Sequence, residues 1–192
     1  MQKIIGAFSL AGGLAWVAAC LVHNAQPQGC IGDACDLGGT ERGSTAVDQT
    51  LMVVAGLLLA VSGLGLLLLA RRRGRSQVAG MVAALAGSLA LVMLLSALVV
   101  ASRDPNWEGM PGLVVPGVVL LAIALVSLGF QVLRAGVLPR VVAVVLIATA
   151  LLLPFANEQT SRILLAIPFG LAWVAAGIAL LRQSNSAAAL SR

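Results

Sequence analysis

The chain has 192 residues, of which 60% are hydrophobic and 10% charged, with a mean hydropathy of +1.03 and a formal net charge of +5. A soluble domain of this composition lacks the polar residues to cover its surface, whereas lipid tails accept Leu, Val and Ala on the outside. The positive balance does not point to nucleic acid: Arg71, Arg72, Arg73 and Arg75 cluster at the end of an apolar run, with no nucleic-acid-binding motif around them.

Apolar stretches follow one another at about 4–22, 50–70, 78–101, 113–133, 137–156 and 163–181. Each is near the roughly 20 residues a helix needs to cross a roughly 30 Å hydrocarbon core. None shows the period-two alternation of a membrane strand. The expected fold is therefore all-α, a single polytopic membrane domain built as a six-transmembrane-helix bundle.

Charge gives the orientation. All the acidic residues (Asp33, Asp36, Glu41, Asp48, Asp104, Glu108, Glu158) fall in the first, third and fifth loops. Lys3, the run Arg71, Arg72, Arg73 and Arg75, then Arg134, Arg140, Arg182 and Arg192 occupy the alternate positions. Lys and Arg mark the cytoplasmic side. Both termini are thus expected inside, with loop 23–49 outside. The arginine turn serves as a topology signal and a contact for anionic lipid headgroups.

In the first span, Val17–Ala18–Ala19–Cys20 resembles a bacterial lipoprotein box, with Lys3 as the basic leader. That resemblance implies a lipidated Cys20 and removal of the first span. An uncleaved anchor carrying a buried free thiol is the preferred alternative. His23 is the only histidine and sits at the outer end of the span. One imidazole supplies neither two axial haem ligands nor a typical zinc shell, so an interfacial polar residue is the expected role.

The first loop holds Cys30 and Cys35 in C-I-G-D-A-C. Outside the cell this spacing favours a disulfide that staples a loop with little else to order it, and Gly32 and Asp33 suit the turn. The alternative is an exchanging dithiol. Against it, the spacing is not the C-x-x-C of redox thiols, and there is no second cysteine pair to relay electrons.

Small residues recur within the spans, at Gly56 and Ala60 and at Gly80, Ala84 and Gly87. They predict close helix packing. The sequence GLAWVAA occurs twice, at Gly13–Ala19 and at Gly170–Ala176. The match joins the first span to the last, not to the fourth as an inverted repeat requires, so shared composition is the expected cause.

Ionisable groups are nearly absent from the spans, which argues against a charged midplane site for protons or cations. The polar residues there are Ser9, Ser62, Ser88, Ser96, Ser127, Thr149 and Gln131. Hydroxyls of this kind bond to their own helix carbonyls. The fifth span is the weakest, with Pro139 before it and Pro154 near its end, and is expected to tilt less than the others or to thin the bilayer locally. Prolines also mark the outer parts of spans 4 to 6, where Trp107, Phe155, Asn157, Glu158, Arg162 and Phe169 lie at a similar level. These six residues form the candidate outward-facing pocket, set against an ordinary aromatic belt.

From span 4 onward, the sequence Arg134–Ala135–Gly136–Val137–Leu138–Pro139–Arg140 joins two apolar runs, and a last span carries Gly170, Trp173 and Gly177. This half of the chain resembles bacterial multi-pass inner-membrane proteins of unknown function. The resemblance implies a bundle in a prokaryotic cytoplasmic (inner) membrane and no particular activity.

The expected function is that of a non-enzymatic integral membrane protein, an accessory or scaffold subunit or a small-ligand binder. It would need no cofactor or metal, and its partners would be the bilayer, with another membrane protein or a second copy beside it. A transporter or channel for a neutral or apolar molecule is the alternative, and needs Ser127, Gln131 and Thr149 to face one cavity. A thiol-disulfide protein using Cys30 and Cys35 is the third.

Overall fold

The structure, a computed structural model, describes residues 1–26, 28–29, 41–42, 45–73, 77–104, 107–157 and 160–190. Its helices are α1 (Gln2–Asn24), α2 (Ala46–Arg72), α3 (Gln77–Ala101), α4 (Met110–Ala135), α5 (Arg140–Ala150) and α6 (Ile167–Leu190). Short 3-10 turns at Leu153–Phe155 and Ser161–Ala166 join the last two. A two-residue antiparallel bridge pairs Gln28 with Arg42 and Gly29 with Glu41. Five helical segments are long and apolar enough to cross a membrane; the fifth expected span is shorter.

The helices alternate in direction, and glycines record their register. A side chain on Gly13 would fall 2.5 Å from the Gly170 carbonyl oxygen, and one on Gly177 would fall 2.7 Å from the Gly6 carbonyl oxygen. The backbones of α1 and α6 therefore touch along their length, with Gly6 opposite Gly177 and Gly13 opposite Gly170. Lipid gives helices no hydrophobic reason to associate, so this close approach is what joins them. The two GLAWVAA copies, expected to be only compositional, begin with the two glycines that meet. On the other side of α1, Gly65 of α2 faces Ile5 and Gly12 faces Leu58 and Leu59.

Helix α3 packs on α4 and scarcely touches α2. Gly80 faces Gln131, Gly87 faces Ala124, and Gly117 faces Leu94. The buried face of α3 is made of Ala83, Ala86, Ala90 and Ala97, while Leu85, Leu89, Val92, Leu95 and Leu98 are exposed. The apolar outside of α3 is the surface expected of a helix solvated by lipid tails. The expected small-residue ridge at Gly80 and Gly87 does pack, whereas Gly56 has nothing within 4 Å.

Several helix ends depart from the expected spans, α6 running to Leu190 rather than 181, and two of the departures have a plain local cause. Thr45 and Asp48 form a capping box, so α2 starts at Ala46, ahead of the expected start at 50. In an α-helix Pro154 would clash with the carbonyl four residues earlier, which belongs to Ala150, and could not donate to it. Accordingly α5 ends at Ala150, short of the expected 156. Pro168 is tolerated because it is the second residue of α6.

At the opposite end, Gly136 adopts the left-handed conformation (φ 63). Its N–H bonds the Leu133 carbonyl, and that of Val137 bonds the Val132 carbonyl, closing α4 as a Schellman motif. Arg73 donates to the last α4 carbonyls, at 3.4 Å to Ala135 and more closely to Gly136. One basic residue read as a headgroup contact thus serves first as a clamp between α2 and α4. Lys3, Arg71, Arg72, Arg134, Arg140 and Arg182 are exposed at this same end, and Asp48, Asp104 and Glu108 lie toward the other.

Candidate functional site

The most polar interior of the bundle lies on the seam between α1 and α2. Ser9 and Ser62 bond each other there, both fully buried. Four helical turns away on each helix, His23 Nδ1 pairs with Asp48 Oδ2. His23 is 3% exposed and Asp48 1%. These serines spend their hydroxyls between helices, unlike Thr149, which bonds its own helix carbonyls at Val145 (2.8 Å) and Leu146 (3.3 Å) as expected.

Asp48 is held from its other oxygen. Oδ1 accepts from the Thr45 amide (2.5 Å), the Thr45 hydroxyl (2.8 Å) and the Gln49 amide (3.0 Å). Every one of these partners is a donor, the environment of an ionised carboxylate. The carboxylate also sits in the first turn of α2, where the helix dipole favours negative charge. An ionised Asp48 can only accept, so His23 Nδ1 carries a hydrogen and donates it to Oδ2. Nε2 is buried and has no hydrogen-bond partner among the described residues.

Chemically this is an oriented imidazole with no nucleophile bonded to it among the described residues. Cys20 lies three residues earlier on α1, fully buried in the core, and among the described residues no hydrogen bond joins its thiol to His23. No group of three or more His, Cys, Asp or Glu that could hold a metal ion occurs among the described residues. In the sequence His23 stands as the only histidine, and Asp48 falls in a loop between apolar runs. The available signal was the capping pattern Thr45-x-x-Asp48 ahead of an apolar run, which places Asp48 inside a helix.

The candidate pocket residues separate. Phe169 is buried, edge-on between Trp16 (ring centroids 5.7 Å) and Trp173 (6.1 Å). Phe155 is 67% exposed, and Asn157 and Arg162 are exposed near it in the chain. Trp107 is half-exposed and lies over Gly109 at the start of α4, where a glycine side chain would meet its ring at 2.3 Å. Glu158 lies outside the described residues, as do Cys30, Cys35 and Arg75. Of the residues proposed to share a transport path, Gln131 is buried facing α3, Thr149 is buried on α5, and Ser127 is half-buried.

Below Phe169 a cavity of about 10 Å³ is lined by Leu66, Leu125, Leu128, Gly129, Val132, Leu146 and Trp173, which is room for about one water. Trp173 is 1% exposed and its Nε1 has no hydrogen-bond partner among the described residues. Trp16 uses its own Nε1 to hold the Ala166 carbonyl at 3.1 Å, tying α1 to the 3-10 segment ahead of α6.

The chain matches no protein-family model, no curated protein and no solved structure.

Proposed function

We propose that the chain is a non-enzymatic, multi-pass protein of a prokaryotic cytoplasmic membrane, with both ends inside, acting as an accessory or scaffold subunit. The observation that carries this reading is where the polar groups go. Inside the bundle Ser9 meets Ser62 and His23 meets Asp48, so these groups hold helices together. The outer faces present Leu, Val or Ile on every long helix. A protein that spends its polar groups on its own assembly, and offers an apolar exterior, is suited to lateral association within the bilayer. Charge supports the orientation: the exposed cations of one end suit an anionic cytoplasmic leaflet.

The test is purification from the native membrane in mild detergent, followed by mass spectrometry of the intact particle. A second membrane protein present in fixed stoichiometry is the expected outcome. A solitary chain that accelerates flux of a neutral solute in proteoliposomes would replace this reading with a transporter.

A further inference from the structure

Helix α5 stops in the middle of the bundle, and the contacts fix the depth. Ile147 stands against Gly129 of α4, where a side chain would meet it at 2.4 Å. Gly129 and Leu66 of α2 line one cavity, and the neighbouring Gly65 faces Ile5 of α1. Ile147 and Ile5 are therefore on about one level. From Ile147 the chain finishes α5, turns at Leu151 and Leu152 and makes the 3-10 turn Leu153–Phe155, a rise of at most about 13 Å. The same rise along α1 leads from Ile5 to about Leu14, the middle of that helix. The ten residues from Leu14 to Asn24 carry α1 about 15 Å further, and α4, packed antiparallel to α3, continues to Met110.

The end of α5 is open. Pro154 has no N–H to return to the Ala150 carbonyl, and the extended backbone at Ala156 (ψ 136) ends the hydrogen-bonded run. Pro154 and Asn157 are exposed, and Phe155 is exposed more than most apolar residues of the bundle. The chain resumes as the 3-10 segment Ser161–Ala166, whose lower end is pinned at the level of Trp16. Carbonyls freed at a helix end cannot be satisfied by lipid tails, and irregular backbone at membrane depth needs protein or water beside it.

We propose that α5 is a half-span and that the step above it is a notch filled by water and phospholipid headgroups, which thins one leaflet on this side of the protein. The notch rests on the reading of α1 to α4 as membrane-spanning. Its partner is the lipid surface itself: polar headgroups sink to Phe155 and Asn157, and Arg162 stands exposed above them.

The experiment is labelling of single-residue variants in nanodiscs with a membrane-impermeant maleimide, with the modified site located by peptide mass spectrometry. Asn157→Cys and Phe155→Cys are compared with Leu14→Cys, which lies at the same level on an exposed face, and with Ser186→Cys near the end of α6. Labelling at 155 and 157 about tenfold or more faster than at 14 is expected, because water is excluded from intact bilayer at that depth. If positions 155 and 157 react no faster than position 14, the notch does not exist. If position 14 reacts as fast as position 186, the membrane-spanning reading of α1 fails as well, a different result from the loss of the notch alone.

Discussion

Asp48 makes four polar contacts from a site almost closed to solvent, and one of them is the only charged partner that His23 has among the described residues. Breaking such a pair from one side leaves a polar group buried without its partner, at about 3–5 kcal/mol. Asp48→Leu is therefore expected to lower the melting temperature in detergent sharply. The double variant His23→Leu with Asp48→Leu should recover part of the loss, since paired apolar replacements remove the stranded group. Thr45→Ala, which removes the cap hydroxyl and its bond to Asp48 Oδ1 but leaves the pair with His23, should cost about 1 kcal/mol. If the double variant melts no higher than Asp48→Leu, the pair is not what couples the two positions. Little of this was legible from the sequence. The capping pattern marks Asp48 as helical, but that His23 lies opposite depends on the register of α1 against α2, which Gly12, Gly65 and the Ser9–Ser62 contact set and no local pattern encodes.

At the scale of the helices, glycine decides which pairs form. Gly13→Ala and Gly177→Ala each push a methyl into the backbone of the partner helix. Overpacking of this kind costs about 1–3 kcal/mol or more, and unfolding temperature should fall in both variants. Gly56→Ala meets no atom within 4 Å and should gain about 0.5–1 kcal/mol from helix propensity. A comparable loss at all three positions would contradict the α1–α6 seam. At the other end, Gly136→Ala forces a side chain into the left-handed region at about 1–2 kcal/mol. The apolar runs of α1, α2, α3, α4 and α6 could be read directly from composition. The break in α5 could be read from Pro154, but the depth of the break could not, because it follows from the packing of Ile147 on Gly129. The doubled GLAWVAA was visible too, and its meaning required knowing that the two copies run antiparallel in contact.

For the molecule as a whole, charge and direction agree. Gly6 lies against Gly177 and Gln2 bonds Gln183 at 3.4 Å, so the start of α1 and the far part of α6 share one end. Fluorescent-protein fusions after Ser186 should mature in the cytoplasm, and alkaline phosphatase inserted between Ser102 and Glu108 should be active outside. The reverse pattern would invert the orientation. A pocket gathering Phe155 and Phe169 was an expectation of shared level along the chain. Burial separates them, because α6 turns Phe169 toward Trp16 and Trp173 while the end of α5 leaves Phe155 outside.

The seam between α1 and α6 also sets an order of events. Helix α1 leaves the ribosome ahead of α2 to α5, yet takes its closest backbone partner from α6 behind them. At a synthesis rate of about 5–20 residues per second, α1 waits on the order of ten seconds before α6 exists. In that interval α1 has α2 to hold it, through the serine pair and the histidine–aspartate pair, while Gly6 and Gly13 stay uncovered toward lipid. A chain stalled or cut before Ile167 would keep that groove open, and a membrane protease or insertase that senses exposed small-residue grooves would meet it as unfinished.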